Sequence, residues 1–504
     1  MSHNPSFDTF ASIYEAGQPQ IVWTRLIADL ETPVSAMLKL ANQRPNSFLL
    51  ESVEGGAVRG RYSMIGLKPD VIWRAHGNSA EINRLALSDP DAFKPCDNDT
   101  LSSLRDLLTE SQIDLDPALP PMAAGVFGYL GYDIVRLIED LPDANPDVLG
   151  LPDGLLLRPT IMAIFDSVKD EVIVATPVRP ATDIDAAAAY NDAVQRLDTT
   201  SADFAKDLPR PVAFSPELLS LPEAVSNTTQ ADYHRMVNRA KEYIAAGDIF
   251  QVVPSQRFEI PFHLPAFSLY RSLRRLNPSP FLFFLNFGDF SVVGSSPEIL
   301  VRVRDGKVTI RPIAGTRPRG KTPEEDLRLA QELLADPKER AEHLMLLDLG
   351  RNDVGRVAKI GTVTVTEQFK LEYYSHVIHI VSNVEGKLAD DQDAISALMA
   401  GFPAGTVTGA PKVRAMEIID ELEKDKRGVY AGCVGYFSAN GSMDTCIALR
   451  TAVVKDGKVY VQAGGGVVAD SDPEAEYQET VNKAQALIQA AEEAIQFALV
   501  TKSG

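Results

Sequence analysis

The chain has 504 residues and is strongly acidic, which narrows the range of its partners. It carries 49 Lys plus Arg against 69 Asp plus Glu, a formal net charge of −20 with His neutral. Because this charge repels polyanions, we expect no nucleic-acid partner and no attachment to an anionic membrane. An anionic substrate must therefore be met by a local arginine, lysine or metal ion.

Composition and cysteine spacing favour a cytoplasmic globular protein. Apolar residues make up 45% and charged residues 23%, as in ordinary folded domains, and the length suits roughly one to three of them. The three cysteines, Cys96, Cys433 and Cys446, are odd in number and widely spaced, which favours a reduced compartment. The N-terminus shows no signal-peptide core, and the apolar run 281–287 is too short to span a bilayer.

A stretch rich in Pro, Ala, Asp, Ser and Thr, residues 178–228, divides the sequence. We interpret it as a connector that contains one short helix at 184–197. The predicted regions on either side are an N-terminal one, 1–225, and a C-terminal one, 226–504.

The C-terminal region begins with a well-marked helix. Thr229 is placed to cap it, with Asp232 three residues later as in a capping box, and Gly247 is placed to end it. Further along, Thr406 and Thr408 lie in a predicted turn, and Pro411 suits the first position of another helix. Free N–H groups at that helix start could bind an anion, although ordinary capping explains them equally well.

Two Asp-Gly pairs predict tight β-hairpins. In the first hairpin, residues 299–304 pair with 307–312, which places Glu298 opposite Ile313. In the second, residues 447–455 pair with 458–463, which places Arg450 beside the run of three glycines that follows. Each hairpin therefore brings a charged side chain next to a glycine-containing loop.

Two pairs of glutamates share helix faces because their members lie three residues apart: Glu339 with Glu342, and Glu476 with Glu479. If the pairs converge, their oxygens suit a hard cation such as Mg²⁺. Solvated surface charge is the alternative interpretation, and Lys483 would then form an exposed ion pair with Glu479.

Three other features could contact a ligand. The glycine run within 463–468 follows a strand and could present N–H groups to an anion, or simply form a tight turn. Arg450 shares a predicted strand face with the small residues Cys446 and Ala448, which leaves room for a carboxylate unless it is an edge-strand arginine. His379 lies on an apolar strand face, where a buried structural histidine is the alternative to a catalytic one.

Taken together, these motifs resemble the chorismate-utilising enzymes and, among them, the anthranilate synthase component I chains. The N-terminal region is covered more thinly than the C-terminal one. The blocks that carry the resemblance are PIAGTRPRG (312–320), ERAEHLMLLDLGRNDVGR (339–356), FPAGTVTGAPKVRAMEIIDELE (402–423), RGVYAGCVGYF (427–437), DTCIALR (444–450), GGGVVADSDPEAEYQETVNKA (464–484), LLES (49–52) and GRYSMIG (60–66).

The resemblance implies an α+β fold in which two antiparallel β-sheets pack as a sandwich with helices outside. It also implies that Mg²⁺ binds to Glu342 and Glu479, with Glu339 and Glu476 alongside through water. Chorismate, a dicarboxylate, would be held by this ion and by a further set of residues. That set is Tyr430, Arg450, the amides of Gly464, Gly465 and Gly466, and Gly315, Thr316, Lys483 and Gln251 nearby.

In the mechanism that the resemblance implies, ammonia adds at ring carbon 2, the carbon 4 hydroxyl leaves, and pyruvate is then eliminated. The poor leaving group needs a general acid, a role that falls to Glu298. His379 matches a histidine tied to pyruvate elimination, Thr406 matches a pocket threonine, and Glu339 completes the implied catalytic set.

Two positions help to choose among relatives. Relatives that add water to chorismate carry a lysine base where this chain has Gln251, and relatives that make 4-amino-4-deoxychorismate carry a lysine where it has Ala314. Both positions therefore favour anthranilate. A non-catalytic tryptophan-binding regulator on the same scaffold is the remaining alternative, but the implied catalytic residues are all present.

The resemblance also implies partners. Because no cysteine lies in a GxCxG motif, the glutamine amidotransferase that supplies ammonia should be a separate chain, component II, in a two-plus-two complex. Feedback by L-tryptophan is implied at a site built from Ser52 and from Pro280, Phe281 and Leu282, with Arg61 and Ser63 adjoining. A purely structural role is the alternative for Phe281, and some aminodeoxychorismate synthases hold tryptophan at this site too.

Overall fold

The computed structural model describes residues 2–54, 58–209, 223–374 and 377–500. Short 3₁₀ turns lie at Pro121–Ala123, Tyr132–Leu137 and Gly405–Val407. The α-helices of the described residues are α1 (Phe7–Glu15), α2 (Pro33–Leu40), α3 (Thr100–Glu110), α4 (Ala186–Phe204), α5 (Gln230–Ala246), α6 (Ala266–Leu276), α7 (Pro323–Ala335), α8 (Pro337–Gly355), α9 (Ala394–Gly401), α10 (Lys412–Leu422) and α11 (Pro473–Val500).

The strands alternate with these helices along the whole chain. They are β1 (Gln20–Ile27), β2 (Ser47–Glu54), β3 (Val58–His76), β4 (Ser79–Asn83), β5 (Lys94–Pro95), β6 (Gly125–Leu130), β7 (Gly154–Asp166), β8 (Glu171–Val178), β9 (Val225–Ser226), β10 (Gln251–Val252), β11 (Ser255–Pro261), β12 (Phe281–Asn286), β13 (Phe290–Ser296), β14 (Ile299–Arg304), β15 (Lys307–Ile310), β16 (Ile313–Pro318), β17 (Thr364–Tyr373), β18 (Val377–Lys387), β19 (Gly409–Ala410), β20 (Cys433–Ser438), β21 (Met443–Ile447), β22 (Thr451–Lys455) and β23 (Lys458–Gly464).

The α+β class predicted from the sequence is confirmed, and the strand pairs are antiparallel. The predicted division into two separate sheets is not confirmed, because among the described residues 21 strands join one hydrogen-bonded network, and β10 pairs with β19 apart from it. One arm of the network runs β1-β8-β7-β3-β2-β12-β13-β22-β23-β11. The other runs β7-β6-β20-β21-β14-β15-β18.

The two arms are continuous because they share the long strands β3 and β7. The register of this pair shifts between Pro69 and Val71, where the strands bend from one arm into the other. A core of buried side chains from both arms then forms between them. Phe48 of one arm stacks on Phe127 of the other with ring centroids 4.7 Å apart, and Phe127 stacks in turn on Tyr436.

Hydrogen bonding also crosses the proposed division at residue 225. Strand β2 of the N-terminal region pairs with β12, and β6 pairs with β20, both of the C-terminal region. The boundary therefore stays a prediction about sequence regions. No helix in the described ranges combines the length and apolar character needed to cross a membrane.

The connector predicted at 178–228 is partly wrong. Its first part forms the long helix α4, which extends beyond the predicted helix at 184–197 and packs Ala193, Leu197 and Phe204 into the core. Alanines on the buried face gave the sequence too little apolar signal to reveal this packing. The part at 210–222 lies outside the described residues.

The helix predicted after Thr229 is confirmed as α5. The Thr229 hydroxyl accepts a hydrogen bond from the Asp232 N–H, and Gly247 ends the helix in a left-handed conformation. The helix buries Tyr233, Met236, Val237 and Ala240. Pro411 is the residue that caps α10, one position before the predicted one.

Both predicted hairpins form, but each ladder is shorter than expected. The first pairs Arg302 with Thr309 and Arg304 with Lys307 as predicted. The β14–β15 ladder ends at the pair Arg302 and Thr309, so Glu298 and Ile313 are not ladder partners. On its other edge β14 pairs with β21, with a bulge between Ile299 and Val301. The Glu298 carboxyl nevertheless accepts a hydrogen bond from the Ile313 N–H, which preserves the predicted proximity.

The second hairpin pairs Ala452 with Val461 and Lys455 with Lys458, as predicted. Its first strand does not run back to Ile447, because the chain leaves the sheet between β21 and β22 and Arg450 adopts a left-handed φ of 49°. Arg450 therefore does not share a strand face with Cys446.

Candidate active site

The predicted general acid, Glu298, is buried between the two arms just before β14. Its side chain accepts a hydrogen bond of 2.9 Å from the Thr406 hydroxyl, and the residue is only 5% exposed. Burial raises its pKa to about 8, against smaller opposing contributions from Thr406, Ile313 and the charge of Arg450. At neutral pH this carboxyl is therefore mostly protonated and can donate a proton.

His379 lies on β18, opposite Thr316 on β16. Its Nδ1 is 3.0 Å from the Gly315 carbonyl oxygen and 3.1 Å from the Thr316 hydroxyl. A carbonyl only accepts, so Nδ1 carries the proton and Nε2 keeps a lone pair. Burial lowers the pKa of His379, which keeps the ring neutral at physiological pH. Its predicted strand is confirmed, and it contacts both predicted loop residues.

Arg450 provides the local cation that the acidic chain needs. Within the described ranges its guanidinium makes no ion pair or hydrogen bond, although the Glu298 carboxyl is near enough to interact with its charge. Burial lowers the pKa of Arg450, but the Arg side chain remains charged in proteins. A buried guanidinium with unused donors is a receptor for a carboxylate.

The glycine run after β23 lies close to Tyr430. The Tyr430 hydroxyl accepts a hydrogen bond from the Gly464 N–H, and a Cβ added to Gly464 would lie 2.9 Å from that hydroxyl. The Gly465 N–H donates to the Pro254 carbonyl at 3.2 Å. Two of the three amides predicted to face chorismate are therefore engaged within the protein. The glycines are needed here for close packing.

Two of the predicted metal ligands come from α8 and two from α11. The pKa of Glu342 is raised, first by burial and then by the negative charges of Glu339 on its own helix and Glu479 on the other. Glu342 also accepts a hydrogen bond from the Gln251 side chain. Since a carboxylate only accepts, the amide nitrogen of Gln251 faces it. The Gln251 Oε1 is then buried without a partner.

The members of this glutamate cluster have unequal surroundings. Glu476 is buried, with one oxygen bonded to Ser471 at 2.7 Å and the other, Oε2, without a partner. Burial raises its pKa. Glu479 is half exposed and pairs with Lys483, while Glu339 pairs with Arg317. Among the described residues no three acidic, His or Cys side chains are arranged to hold a metal ion.

Lys483 joins the glutamate cluster to the glycine run. Its amine is 2.7 Å from Glu479 and donates to the Gly464 carbonyl at 2.9 Å. Lys483 therefore also contacts the glycine run, in addition to forming the ion pair with Glu479 that the sequence spacing predicted. Gly315 lies at the other side, where an added Cβ would be 3.2 Å from a Glu339 oxygen.

A separate cavity of about 920 Å³ lies between the arms. It is lined by five of the six predicted tryptophan-binding residues: Ser52, Arg61, Pro280, Phe281 and Leu282. Ser63 does not line the cavity. Its hydroxyl lies 3.4 Å from the carboxylate of Glu51, and Glu51 does line the cavity. At its other end the cavity reaches Tyr374, whose ring packs against the His379 ring at 5.5 Å.

The sequence prediction missed one wall of this cavity. It is formed by residues of β20 and β21: Val434, Gly435, Tyr436, Asp444 and Cys446. Asp444 is the notable member, because its Oδ1 is buried without a partner while Oδ2 bonds Arg302 at 3.1 Å.

Comparison with known proteins agrees with this geometry. The family described as chorismate binding enzyme matches residues 48–489. The chain belongs to the chorismate-binding enzyme family. This match includes both regions of the sequence and every predicted site residue.

Within the family, the relatives are anthranilate synthases. The chain is 62% identical over 493 residues to anthranilate synthase component 1 of Cereibacter sphaeroides, covering 98% of each chain. It is 50% identical to the Pseudomonas putida component 1, covering 92% of this chain and 93% of that one. The predicted resemblance and enzyme class are both confirmed.

Two solved structures share the fold of this chain. Anthranilate synthase component I of Streptococcus pneumoniae superposes with a TM-score of 0.74 at 35% identity, covering 92% of this chain and 99% of that one. The menaquinone-specific isochorismate synthase of Escherichia coli superposes with a TM-score of 0.71 at 20% identity, covering 97% and 99%. The second likeness concerns the fold alone.

Proposed function

We propose that the chain converts chorismate and ammonia to anthranilate and pyruvate, as the first step of tryptophan biosynthesis. The observation that carries the proposal is the buried, protonated Glu298 beside the unpaired guanidinium of Arg450. One group supplies a proton to a leaving hydroxyl, and the other holds a carboxylate of the same small molecule. The 62% identity to a component 1 chain supports this choice of reaction.

In this proposal Glu298 acts first, as the general acid. Its proton goes to the carbon 4 hydroxyl of chorismate, which leaves as water while ammonia adds at carbon 2. The Thr406 hydroxyl donates to Glu298 at 2.9 Å and fixes the direction of the carboxyl group. Arg450 and Tyr430 hold the substrate in place through the transfer.

His379 acts in the second stage, when pyruvate leaves and the ring becomes aromatic. Because Nδ1 donates to the Gly315 carbonyl, the lone pair of Nε2 is free to accept a proton. Burial keeps the imidazole neutral, so this lone pair is present at physiological pH.

The glutamate cluster fits Mg²⁺ by its chemistry. The donors are carboxylates; burial, and after it the charges of Glu339 and Glu479, raise the pKa of Glu342, and among the described residues Glu476 Oε2 is buried without a donor. Glu342 and Glu479 would hold the ion, with Glu339 and Glu476 alongside through water. When bound, the ion would supply positive charge for a substrate carboxylate.

The residues near the cluster favour ammonia as the nucleophile. Gln251 is held by Glu342 and offers a buried, unpartnered Oε1, which can accept a hydrogen bond from an N–H group. A neutral amide cannot deprotonate water, whereas ammonia needs no base. Ala314 offers no amine to attack the ring, which favours anthranilate over the 4-amino product.

We infer that ammonia comes from a glutamine amidotransferase chain, component II, in a two-plus-two complex in the cytoplasm. The three cysteines support a separate source, because Cys433 and Cys446 are buried and burial raises the pKa of each thiol. L-Tryptophan would occupy the 920 Å³ cavity at Ser52 and Phe281 as a feedback inhibitor.

The test is an assay of the purified chain with chorismate, an ammonium salt and MgCl₂ at mildly alkaline pH. We expect fluorescent anthranilate, identified by mass, that disappears when EDTA replaces Mg²⁺ and decreases with L-tryptophan. A 4-amino product would refute the choice of reaction. No product, even with an added amidotransferase chain, would favour a binding protein instead.

A further inference from the structure

A buried ion pair lies behind the substrate pocket, between Arg427 and Glu423. Arg427 is 2% exposed, and its Nε and Nη2 donate to the two Glu423 oxygens at 3.0 and 2.6 Å. Glu423 is the residue that ends α10. The reaction proposed above uses neither side chain.

The remaining donors of Arg427 bond two separate backbone segments. Nη1 donates to the Val407 carbonyl and Nη2 to the Val253 carbonyl, both at 2.7 Å. Val407 directly follows Thr406, which holds the general acid. Val253 lies two residues after Gln251, which bonds Glu342. One side chain thus links the segment at the acid to the segment at the glutamate cluster.

Glu423 extends the network to the glycine run. Its Oε1 also accepts hydrogen bonds from the backbone N–H and the hydroxyl of Ser255, both at 2.8 Å. Ser255 begins β11 and lies opposite Gly464 in the ladder with β23. The Ser255 hydroxyl also accepts a hydrogen bond of 2.8 Å from Gln462 on the same strand as Gly464.

The guanidinium also contacts the pocket tyrosine. Its central carbon is 5.4 Å from the ring centroid of Tyr430 and 4.9 Å from that of Tyr132. The Arg427 cation therefore lies against the ring of Tyr430, whose hydroxyl accepts a hydrogen bond from the Gly464 N–H.

We propose that Arg427 is a positioning residue of the active site. It fixes Thr406, Tyr430 and the Gly464 loop relative to one another and touches no substrate. This inference rests on the proposed function, in which Thr406 orients the general acid and Tyr430 holds the substrate.

Arginine suits this role because its planar donors fix several acceptors at once. A lysine keeps the charge but is a single flexible donor group, so it cannot hold Glu423 and both carbonyls in one geometry. A buried ion pair often adds little stability compared with an apolar pair of similar volume. We therefore expect the network to matter more for geometry than for folding.

The experiment is steady-state kinetics of Arg427→Lys with chorismate and ammonium. We expect kcat to fall by about 10- to 100-fold, because small displacements of catalytic groups have effects of this size. The matched control is Arg158→Lys, another buried arginine that grips a carboxylate, Asp70, through Nε and Nη2 at 2.8 and 2.9 Å. Its kcat should stay within about twofold of the wild type, as expected for a residue outside the site.

A double-mutant cycle separates positioning from general loosening. If Arg427 acts through Thr406, the combined loss in Arg427→Lys/Thr406→Ala will be smaller than the product of the two single losses. Arg158→Lys with Thr406→Ala should show a simple product. A second cycle combines Arg427→Lys with Tyr430→Phe. If the loss of kcat in both double variants equals the product of the two single losses, the inference is overturned.

Folding is controlled by a double variant, Arg427→Met/Glu423→Leu, which removes both charges together. We expect it to fold with a melting temperature near that of the wild type and to lose kcat as Arg427→Lys does. Full activity in either folded variant would refute the positioning role. A wild-type chain that makes no anthranilate would instead refute the proposed function, so the two failures are distinguishable.

Discussion

Glu298 and Glu342 are both largely buried carboxyls with raised pKa values, but their surroundings differ. Around Glu298, burial alone raises the pKa, and the nearby Thr406, Ile313 and Arg450 all favour the charged form. Around Glu342, other carboxylates add to the effect of burial, and a neighbouring oxygen, that of Glu476, has no partner. The protein itself therefore supplies the groups that interact with the Glu298 carboxyl.

The comparison shows how a chain of net charge −20 can contain an anion site. In the proposed acid half, one carboxyl stays protonated and one guanidinium has no partner among the described residues. The glutamate half concentrates negative charge that Lys483 and Arg317 balance only in part, so an added cation would be favourable there. We therefore expect the two halves to respond differently to mutation, to pH and to Mg²⁺.

The largest effect is expected in the glutamate half. Glu342→Gln and Glu479→Gln should each lower Mg²⁺-dependent turnover by about a thousandfold or more, because an amide is a poor ligand for a hard cation. The measurement is kcat as a function of MgCl₂ concentration. Mg²⁺ should also raise the melting temperature of the wild type and not of these variants.

The control for this prediction is Glu474→Gln on the same helix. Glu474 is exposed and bonds Gln230 at 2.6 Å, away from the cluster. Its turnover should be unchanged. Normal activity in Glu342→Gln or Glu479→Gln would refute the metal site.

The next largest effect is expected at the general acid. Glu298→Gln keeps the shape of the side chain and removes its proton, so kcat should fall by about 10²- to 10⁴-fold. In the wild type, kcat should decrease as pH rises through about 8, where Glu298 loses its proton. If kcat of Glu298→Gln decreased at alkaline pH as it does in the wild type, another group would be the acid.

The same substitution should stabilise the fold. The folded-state pKa of Glu298 is raised from 4.5 to about 8, so the folded chain binds more protons than the unfolded one between these values. Stability of the wild type relative to Glu298→Gln should therefore decrease from pH 4.5 to pH 8 and then level off. Thermal unfolding across this range would check it, and a constant difference would contradict it.

A smaller effect is expected at the substrate clamp. Arg450→Lys should raise KM for chorismate by about ten- to a hundredfold, because lysine cannot grip a carboxylate through two parallel hydrogen bonds. Arg328→Lys, in an exposed pair with Glu332, is the matched control. An unchanged KM would mean that Arg450 does not contact the substrate.

The smallest effect on turnover is expected outside both halves, in the cavity. Ser52→Phe should leave kcat within about twofold and weaken inhibition by tryptophan at least about tenfold, because the larger side chain fills space beside Phe281. Inhibition curves for the wild type and the variant would measure this. Equal inhibition constants for the wild type and Ser52→Phe would place the regulatory site elsewhere. The control is Ser88→Phe, a substitution at an exposed turn.

Local features of the molecule could be predicted from sequence because they depend on neighbouring residues. The Asp-Gly turns determined the pairing near Arg302 and Ala452, and the Thr229 cap determined where α5 begins. The prediction failed where distant strands intervene. The β14–β15 ladder stops at Arg302, and the left-handed Arg450 ends a strand that alternation had extended.

Residues brought together from distant segments were harder to predict. Sequence spacing supplied the glutamate pairs and the strand position of His379, and the resemblance supplied their roles and that of Glu298. In the structure the charge of Glu479 reaches Glu342. Nothing local to Asp444 or Tyr436 indicated a cavity wall, because that wall exists only once β20 and β21 face β2 and β12. Likewise, the packing of α4 depends on alanines that carry little hydrophobic signal.

The pairing of N-terminal strands with C-terminal strands, β2 with β12 and β6 with β20, has a consequence for experiments that divide the chain. A polypeptide beginning near residue 226 would lack β2 and β6, leaving β12 and β20 as bare edges in the middle of the network. Such edges pair readily with other chains. We expect this half-length fragment to aggregate on expression, and chimeras of two relatives to fold best when β2 and β6 come from the same parent as β12 and β20.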